Sequence, residues 1–250
     1  MYGNRIVKTF ARLELLTYAH ETKDNCPCGG TLVLPTDNIE LLQCLRCGMI
    51  GRRLRLDRFS TAQLYRSGLY RRLHGTTKFS REDFERGVRR GKEIMTTLVD
   101  NHIHIHDTEN TVLELGCGPG GILEAFIREG SEVFGFDLDP MCVQEAQKHG
   151  LTVNDASIST SVDIVILSHC LEHSYNPDEM MYDCMAWLGS GGYIYIETPT
   201  YKPGQAAPVW HNWYFSKPAI HLLAARMQMR PIVVKDGVAI FQWGASNDRS

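Results

Sequence analysis

Three features are missing from this sequence of 250 residues: a long apolar run, a low-complexity tract and an internal repeat. No stretch approaches the roughly 20 consecutive apolar residues that a helix needs to cross a bilayer. The first 20 residues contain neither the apolar core nor the small-residue cleavage site of a secretory signal peptide. We therefore expect a cytoplasmic protein with no membrane partner.

The composition is that of an ordinary globular protein, with 43% hydrophobic and 22% charged residues. A chain of this length can bury one core and carry a small accessory module. Four of the eight cysteines are clustered near the N-terminus, and the other four are scattered through predicted core elements. Because this usage suits a reducing compartment, we do not expect disulfides.

Charge is distributed unevenly, although the formal net charge is only −3. The segment 52–93 contains thirteen basic and five acidic residues. Such a segment is ordinarily a set of solvated helix faces. It would alternatively form an electropositive wall that binds a phosphorylated substrate or nucleic acid. The sequence leaves both interpretations open.

The clustered cysteines form a C-x-C pair followed by a C-x2-C pair. They are Cys26, Cys28, Cys44 and Cys47. Thiolates at this spacing can converge on a tetrahedral zinc ion, and Gly29 and Gly48 would permit the turns that direct backbone amides at sulfur. Four sulfur ligands leave no open coordination position, so we expect a structural zinc-ribbon-like module. The alternative is four free thiols in a loop-rich lid.

Hydrophobic periodicity predicts the remaining architecture. Apolar residues in 1–22 have nearly helical spacing and predict an N-terminal helix. From residue 111 onward, short apolar strands alternate with helices, which predicts an α/β fold with a doubly wound, mostly parallel sheet. Two further strands would close this Rossmann-like sheet as an antiparallel hairpin. We predict three parts: an N-terminal helix and cysteine module in 1–60, a basic helical connector in 61–92, and a main domain in 93–250.

Four glycines occur within the six residues GCGPGG, which begin at Gly116. Glycine permits positive φ and lets a backbone approach a ligand closely, but a glycine pattern alone is weakly specific. Glu114 precedes the loop, where a carboxylate would attract an amine and repel a pyrophosphate. Asp137 ends the second strand and can accept both hydroxyls of a ribose. With Asp155 after a third strand to receive an adenine amino group, the pattern favours a nucleoside that carries an amino acid.

Four segments in order, ELGCGPG, FGFDLD, DIVILSHCLEHSYNP and GGYIYIETP, resemble the motifs of class I S-adenosylmethionine-dependent methyltransferases. The resemblance covers about residues 90–243. It implies that S-adenosylmethionine is bound at the methionine end by Glu114, Gly116, Gly118 and Gly120, at the ribose by Asp137 beside Leu138, at the adenine by Asp155 and Ala156, and on its other side by Ser168 and His169. A nucleotide fold with a degenerate, unused site is the alternative.

Two histidines are candidates for proton transfer from a methyl acceptor. His173 follows the fourth strand, at the sheet edge where open α/β folds bind ligands. His211 lies in an aromatic loop, VWHNWYFSKPAI, that resembles the substrate-side segment of the family. His173 would alternatively only cap its loop. The alternating histidines of NHIHIHD resemble a metal tract, but we interpret this stretch as a solvent-facing connector.

A four-cysteine ribbon before a methyltransferase domain resembles a group of bacterial and phage enzymes that act on sugars, often nucleotide-linked ones. The resemblance implies a small-molecule acceptor, a sugar or nucleotide-sugar hydroxyl, with O- or N-methylation ahead of C-methylation because a long C-terminal domain is missing. The alternatives are an RNA or protein methyltransferase that grips its polymer through the zinc and basic segments, and a non-catalytic binding module. A nicotinamide oxidoreductase ranks last because Glu114 opposes a dinucleotide.

Overall fold

The computed structural model describes residues 19–21, 25–34, 39–75, 78–104, 110–155, 161–204 and 207–244. Seven α-helices lie within these residues: α1 Arg58–Arg66, α2 Leu69–His74, α3 Arg81–Asp100, α4 Gly121–Arg128, α5 Pro140–Lys148, α6 Pro177–Trp187 and α7 Lys217–Arg226. A short 3-10 turn spans Leu171–His173. None of the described helices is both long enough and apolar enough to cross a membrane.

The described strands fall into an N-terminal group and a C-terminal group. The N-terminal strands are β1 Ala19–Glu21, β2 Leu32–Val33, β3 Leu41–Cys44, β4 Ile50–Arg52 and β5 Leu54–Leu56. The later strands are β6 Thr111–Leu115, β7 Glu132–Phe136, β8 Thr152–Val153, β9 Val162–Ser168, β10 Leu188–Glu197, β11 Trp213–Tyr214, β12 Arg230–Lys235 and β13 Val238–Gln242.

The main sheet has seven strands in the order β12-β13-β10-β9-β6-β7-β8. Strands β6 to β10 pair in parallel, whereas β13 is antiparallel to both β10 and β12. This arrangement confirms the predicted doubly wound, mostly parallel sheet with its C-terminal antiparallel hairpin. Gly237, at φ 78°, makes the hairpin turn.

Two sequence-based element predictions differ from the structure. Residues 1–18 of the predicted N-terminal helix lie outside the described residues, but Ala19–Glu21 form strand β1, so the helix prediction is wrong there. Pairing with β5 satisfies the backbone of these residues, and tertiary pairing overrides apolar spacing. Helix α6 ends at Trp187 rather than continuing to residue 192, because Leu188 already pairs with Val162 in the sheet.

A second, four-stranded sheet combines three N-terminal strands with strand β11. Strands β2, β3 and β4 form an antiparallel meander around the cysteines. Strand β11 then adds to its edge, with Trp213 opposite Gly51 and Tyr214 opposite Ile50. A segment that follows the main sheet's fifth parallel strand therefore completes the N-terminal module.

The close packing of α3 on α4 depends on glycine. A Cβ at Gly87 would lie 2.9 Å from the Cα of Gly121, and a Cβ at Gly91 would lie 2.6 Å from both the Cβ of Ala125 and the carbonyl oxygen of Ile122. Backbone therefore contacts backbone along this interface. The basic connector is consequently packed on the main sheet's helical layer through one face of α3, where Phe84 and Val88 are buried.

We predict that Gly91→Ala destabilises the protein by about 1–3 kcal/mol, since the added methyl group has no space between α3 and α4. The direction opposes helix propensity, which by itself favours alanine over glycine by about 1 kcal/mol. Urea unfolding followed by circular dichroism measures the change. Gly189→Ala is the control, because its Cβ would meet nothing closer than 3.5 Å. Equal stability of Gly91→Ala and wild type would contradict the packing argument.

Candidate functional site

A cleft of about 790 Å³ opens at the carboxyl ends of β6, β7 and β9. The sheet contributes the glycine loop and the residues that follow each strand. Helices α1 and α2 cover the cleft with residues that the sequence analysis assigned only to a connector. These are Thr61, Tyr65, Arg66, Tyr70, Arg71 and His74. The cleft is thus formed by two parts of the chain rather than by the main domain alone.

The glycines of the loop have different functions. Gly116 and Gly118 line the cleft, both at positive φ, and a Cβ at Gly118 would meet no atom within 4 Å and would project into open space. Gly120 does not line the cleft; a Cβ there would collide with the Cδ1 of Leu151 and approach the Cβ of Ala146 to 3.3 Å. Gly120 thus packs against Leu151, whereas Gly116 and Gly118 face the cleft.

Glu114 lies beneath the cleft rather than in its wall. Its side chain is buried at the end of β6, and its Oε2 has no hydrogen-bond partner in the part of the chain that the structure describes. Burial raises the pKa of Glu114 well above its usual range, and the Asp137 carboxylate adds to this effect. A buried, unsatisfied carboxylate is costly unless a donor or a cation reaches it.

Asp137 organises the second strand's end. Its Oδ2 accepts a hydrogen bond from the Gly118 amide at 2.8 Å, and its Oδ1 accepts one from the Asp139 amide at 2.7 Å. Burial raises the pKa of Asp137, although these two amides act in the opposite direction. The carboxylate is therefore fixed against the glycine loop, and each oxygen retains a lone pair for a ligand hydroxyl.

The end of β8 places asparagine rather than aspartate at the cleft. Asn154, at φ 56°, lines the cleft and makes two hydrogen bonds with the Asp137 backbone, at 3.0 and 2.8 Å. Asp155 is exposed and is not among the residues that line the cleft. The predicted neighbour Ala156 lies outside the described residues, whereas Leu138 lines the cleft and is 44% exposed.

The basic residues of the segment 52–93 are divided between the interior and the surface. Arg52 and Arg55 are buried, with Arg55 stacked 3.8 Å above the Trp213 ring. Arg71 enters the cleft, where it forms an ion pair with the buried Asp139. Arg90 contacts Glu197 at the end of β10. Four of the segment's thirteen basic residues are thus wholly or partly buried, and the other nine are exposed.

Ser168 and His169 line the cleft beyond β9, as predicted. The Ser168 hydroxyl donates to Glu197 Oε2 at 3.4 Å. His169, at φ 52°, is half-exposed, and its Nδ1 lies 3.4 Å from Glu172 Oε1. Both side chains therefore belong to a polar group that sequence reasoning identified only in part, because it overlooked the two glutamates.

His173 lies at the wall of the cleft, within the 3-10 turn. Its Nδ1 is 2.8 Å from the carbonyl oxygen of Trp210. Since a carbonyl only accepts, Nδ1 carries the proton and Nε2 presents a lone pair in the neutral ring. Burial lowers the pKa of His173, so the neutral form prevails at pH 7. The geometry leaves Nε2 available as a proton acceptor or a metal ligand.

His211 does not line the cleft but lies directly behind His173. The two ring centroids are 5.0 Å apart. Burial lowers the pKa of His211 to about 4, and its buried Nδ1 has no hydrogen-bond partner among the described residues. Both predicted catalytic histidines thus belong to one cluster, although only one of them reaches the cleft.

An aromatic wall surrounds this end of the cleft. Tyr65 and Tyr70 meet the His173 ring edge-on, at 5.9 and 6.1 Å between centroids. His74 and Trp210 extend the wall, with ring centroids 4.7 Å apart. Tyr201 and Tyr214 contact each other away from the cleft, in agreement with a packing role. A planar or ring-shaped ligand can stack in such a setting.

Asn212 links the cleft to the N-terminal strands, and it is fully buried. Its Nδ2 donates to the carbonyl oxygens of Leu56, His173 and Ser174 at 3.1 to 3.2 Å. Its Oδ1 accepts from the Leu56 amide at 3.3 Å. Sequence reasoning missed this residue, and no spacing signal identifies it because its partners are more than 35 residues away.

The four predicted cysteine ligands converge, and all are buried. The Cys26 and Cys47 sulfurs are 3.6 Å apart, and those of Cys28 and Cys44 are 3.4 Å apart. Tetrahedral zinc, with Zn–S bonds of about 2.3 Å, places sulfurs about 3.8 Å apart. The donor set and its spacing therefore fit a closed four-sulfur site.

Glycine shapes the cysteine cluster. Gly29 and Gly48 have φ of 78° and 70°, as the two knuckle turns require. A Cβ at Gly30 would lie 2.6 Å from the Cys44 sulfur. Burial tends to raise the pKa of Cys44, but the amides of Cys47 and Arg46 outweigh it and lower the value to about 7.

His102 and His104 follow α3, where His102 adopts φ 60° and His104 is exposed. The third histidine of the tract, His106, lies outside the described residues. Neither described histidine belongs to a group of potential metal ligands within the described residues. Their placement matches the predicted solvent-facing connector.

The model of the methyltransferase domain family matches residues 85–227, more than half of the chain. The chain belongs to this family. The strand order and the cleft of this methyltransferase-domain protein are those of the class I S-adenosylmethionine-dependent methyltransferase fold, as the sequence motifs predicted.

Among curated proteins, this methyltransferase-domain chain is similar to ubiquinone biosynthesis O-methyltransferases. It is 32% identical to the protein of Serratia proteamaculans (strain 568) over 103 residues, which are 36% of the chain and 43% of that protein. It is also 32% identical to the protein of Xanthomonas oryzae pv. oryzae (strain PXO99A) over 109 residues, 38% and 46% of the two proteins. The chain spans about half the length of these relatives.

Solved structures share the fold at low sequence identity. The 1,6-didemethyltoxoflavin-N1-methyltransferase of Burkholderia thailandensis superposes with a TM-score of 0.56 at 16% identity, covering 84% of this chain and 98% of that one. The plantazolicin methyltransferase BpumL, in complex with SAH, has a TM-score of 0.53 at 14% identity, covering 73% and 94%. At these identities the likeness concerns the fold.

We predict that Asn212→Leu destabilises the protein by about 3–5 kcal/mol, because four buried backbone groups lose their partner. Urea unfolding gives the change. Asn176→Ala is the matched control: it removes the N-cap of α6, whose Oδ1 accepts from the Asp178 amide, and an exposed hydrogen bond to Glu179, and it should cost about 1 kcal/mol. An Asn212→Leu variant no less stable than Asn176→Ala would contradict the proposed link.

Proposed function

We propose that this protein transfers a methyl group from S-adenosylmethionine to a hydroxyl group of a small molecule. The observation that carries the proposal is the single cleft that joins the glycine loop and Asp137 at one end to His173 and the aromatic wall at the other. Family membership supports a methyl donor, and the similar ubiquinone biosynthesis proteins are O-methyltransferases by name.

The residues of the donor end fit S-adenosylmethionine. Gly116 and Gly118 leave room for backbone approach, and Asp137 presents lone pairs for the ribose hydroxyls. Glu114 is a buried carboxyl group below the loop, and a ligand with an amine and a sulfonium would favour its ionised form. Asn154 lies where the adenine is expected, and Asp155 and Ala156 remain candidates by sequence only.

When bound, S-adenosylmethionine supplies a sulfonium-activated methyl group whose transfer breaks a C–S bond, forms a C–O bond and releases a proton. The protein's task is to align the acceptor oxygen in line with that bond and to receive the proton. His173 Nε2 is the candidate acceptor of this proton, with Glu172 Oε1 at 3.7 Å to stabilise the positive ring. His211, behind it, acts as a positioning residue.

The acceptor end favours a ring-shaped molecule. Tyr65, Tyr70 and His74 present aromatic surface that can stack on a sugar's C–H face or on a phenol. A sugar or nucleotide-sugar hydroxyl, as the sequence resemblance implies, is therefore compatible with the wall. Arg66 also lines the cleft and is a candidate partner for a phosphate, whereas Arg71 is paired with Asp139. Screening nucleotide sugars against phenols for methyl acceptance distinguishes the two classes.

Polymer methylation is less well supported. The burial of Arg52 and Arg55 and the internal ion pairs of Arg71 and Arg90 reduce the exposed basic residues of the segment 52–93 from thirteen to nine. A polymer held by phosphates would bind with a steep dependence on salt. Salt-independent turnover of a small acceptor would instead support the proposal.

We also propose that the four-cysteine cluster binds one structural zinc ion. The sulfur spacing and the closed, buried site support this, and such an ion supplies folding energy to a module with little core. The cluster packs against the main sheet's apolar layer, and Ser216, the N-cap of α7, contacts the carbonyl of Cys47. Loss of zinc would therefore affect the sheet that β11 completes.

Asp137→Asn is expected to weaken S-adenosylmethionine binding about 10- to 100-fold, because it removes charge from hydrogen bonds to the ribose. Isothermal titration with S-adenosylmethionine and S-adenosylhomocysteine measures the change. Asp163→Asn is the matched control, since this exposed aspartate caps the amino end of β6 through the Thr111 amide. Unchanged affinity in Asp137→Asn would overturn the assigned donor site.

Cys44→Ser is expected to lower zinc content from one ion per chain and to lower the melting temperature by about 6–12 °C, as a loss of about 3 kcal/mol would do in a protein of this size. Metal analysis and thermal unfolding are the two measurements. The control Cys142→Ser changes a buried thiol outside the cluster and should retain full zinc content. Full zinc content in Cys44→Ser would refute the ligand assignment.

A further inference from the structure

A second group of potential metal ligands lies at the acceptor end of the cleft. One donor atom from each of Glu172, His173 and His211 lies within 4.8 Å of the other two. Two imidazoles and one carboxylate form a donor set that binds first-row transition metals and leaves a coordination position open. In contrast to the cysteine cluster, this group borders the space available to a substrate, through His173.

Glu172 carries the argument, because its buried carboxyl group accepts no hydrogen bond from the described residues. The residue is 0% exposed, and neither carboxylate oxygen has a hydrogen-bond partner among the described residues. A buried carboxylate without donors costs several kcal/mol unless it is paired or coordinates a metal. The nearest nitrogens are Nδ1 of the half-exposed His169 at 3.4 Å and Nε2 of His173 at 3.7 Å from Oε1.

The tautomer of His173 gives a second argument for a metal ion beside Glu172. Its Nδ1 proton is donated to the Trp210 carbonyl, so in the neutral ring two lone pairs face each other, those of Nε2 and of Glu172 Oε1. Even with a proton on Nε2, the distance of 3.7 Å between Nε2 and Oε1 is too long for a hydrogen bond. Two ligands of one tetrahedral ion, with bonds of about 2.0–2.2 Å, stand about 3.4 Å apart, close to the observed 3.7 Å.

Two further features match a metal site. The buried Nδ1 of His211 has no hydrogen-bond partner among the described residues and supplies a third lone pair. The hydrogen bond from His173 Nδ1 to a backbone carbonyl is the outer contact that orients metal-binding histidines and fixes their tautomer. Asn212 holds the other side of the turn by donating to the carbonyls of His173 and Ser174.

We propose that Glu172, His173 and His211 bind a divalent transition-metal ion whose open position faces the acceptor. The ion would bind the acceptor's hydroxyl oxygen and lower the pKa of that hydroxyl, so that its proton leaves to water. In the metal-bound protein, His173 would then be a ligand, and this role would replace its role as the candidate base. The proposal of metal binding depends only on the geometry of these three residues. The role of the ion in methyl transfer rests on the proposed function.

Cobalt titration of the full-length, zinc-replete protein tests the site. Co²⁺ bound by histidine and carboxylate lacks the thiolate charge-transfer absorption that a cysteine site gives, so the two clusters are distinguished by spectrum. We expect one Co²⁺ per chain without thiolate absorption. Glu172→Gln and His211→Asn should each weaken binding at least about tenfold, whereas His221→Asn, which changes an exposed histidine on α7, should bind as wild type does.

S-adenosylmethionine titration of the same samples separates this proposal from the proposed function. Variants that bind the methyl donor but have lost Co²⁺ are folded and support the metal site. A wild-type protein that binds Co²⁺ at this site but neither S-adenosylmethionine nor S-adenosylhomocysteine would support the site and contradict the proposed function. Absence of Co²⁺ binding in a donor-binding protein, or equal Co²⁺ affinity in wild type, Glu172→Gln and His211→Asn, would overturn the proposal.

Discussion

The pairing of β11 with β4, together with the Asn212 side chain, determines where the acceptor end of the cleft lies. The Arg52 amide donates to the Asn212 carbonyl, and the Arg52 guanidinium donates to the Ala207 carbonyl, so the N-terminal module holds the segment on both sides of His211. Trp210 and Asn212 then hold the 3-10 turn of His173 by hydrogen bonds. This pairing therefore helps to fix both histidines relative to the sheet.

The same pairing connects the cysteine cluster structurally to the cleft. The cysteines are buried in the same apolar layer as Trp213 and the inner faces of α6 and α7, on one side of the main sheet. Helices α3 and α4 pack in the layer on the opposite side. The predicted part boundaries at residues 60 and 92 remain a prediction, but contacts cross both of them. A zinc ion at the cysteines would therefore stabilise the acceptor side as well as its own module.

Much of the fold follows from local sequence, because parallel strands, capped helices and glycine turns leave periodic signals. The strand ends at Leu115, Phe136 and Ser168 also indicate the edge where the cleft forms. The position of helices α1 and α2 over the cleft was not predictable in the same way. Tyr65, Tyr70 and Arg71 have ordinary helical spacing, and only tertiary packing turns them toward the glycine loop. Glu172 and Asn212 were missed for a related reason, since burial without nearby donors and hydrogen bonds across more than 35 residues leave no pattern in a single sequence.

Buried carboxyl groups lie at both ends of the cleft. Glu114 and Asp137 lie at the donor end, where burial raises the pKa of both carboxyl groups, and Glu172 lies fully buried at the acceptor end. Among the arginines that line the cleft, Arg71 is already paired with Asp139. Carboxylates at these positions disfavour a dinucleotide's phosphates and favour cations. A cationic methyl donor at one end and a divalent ion at the other would each compensate a different buried carboxylate, so the two proposed ligands compete for no residue.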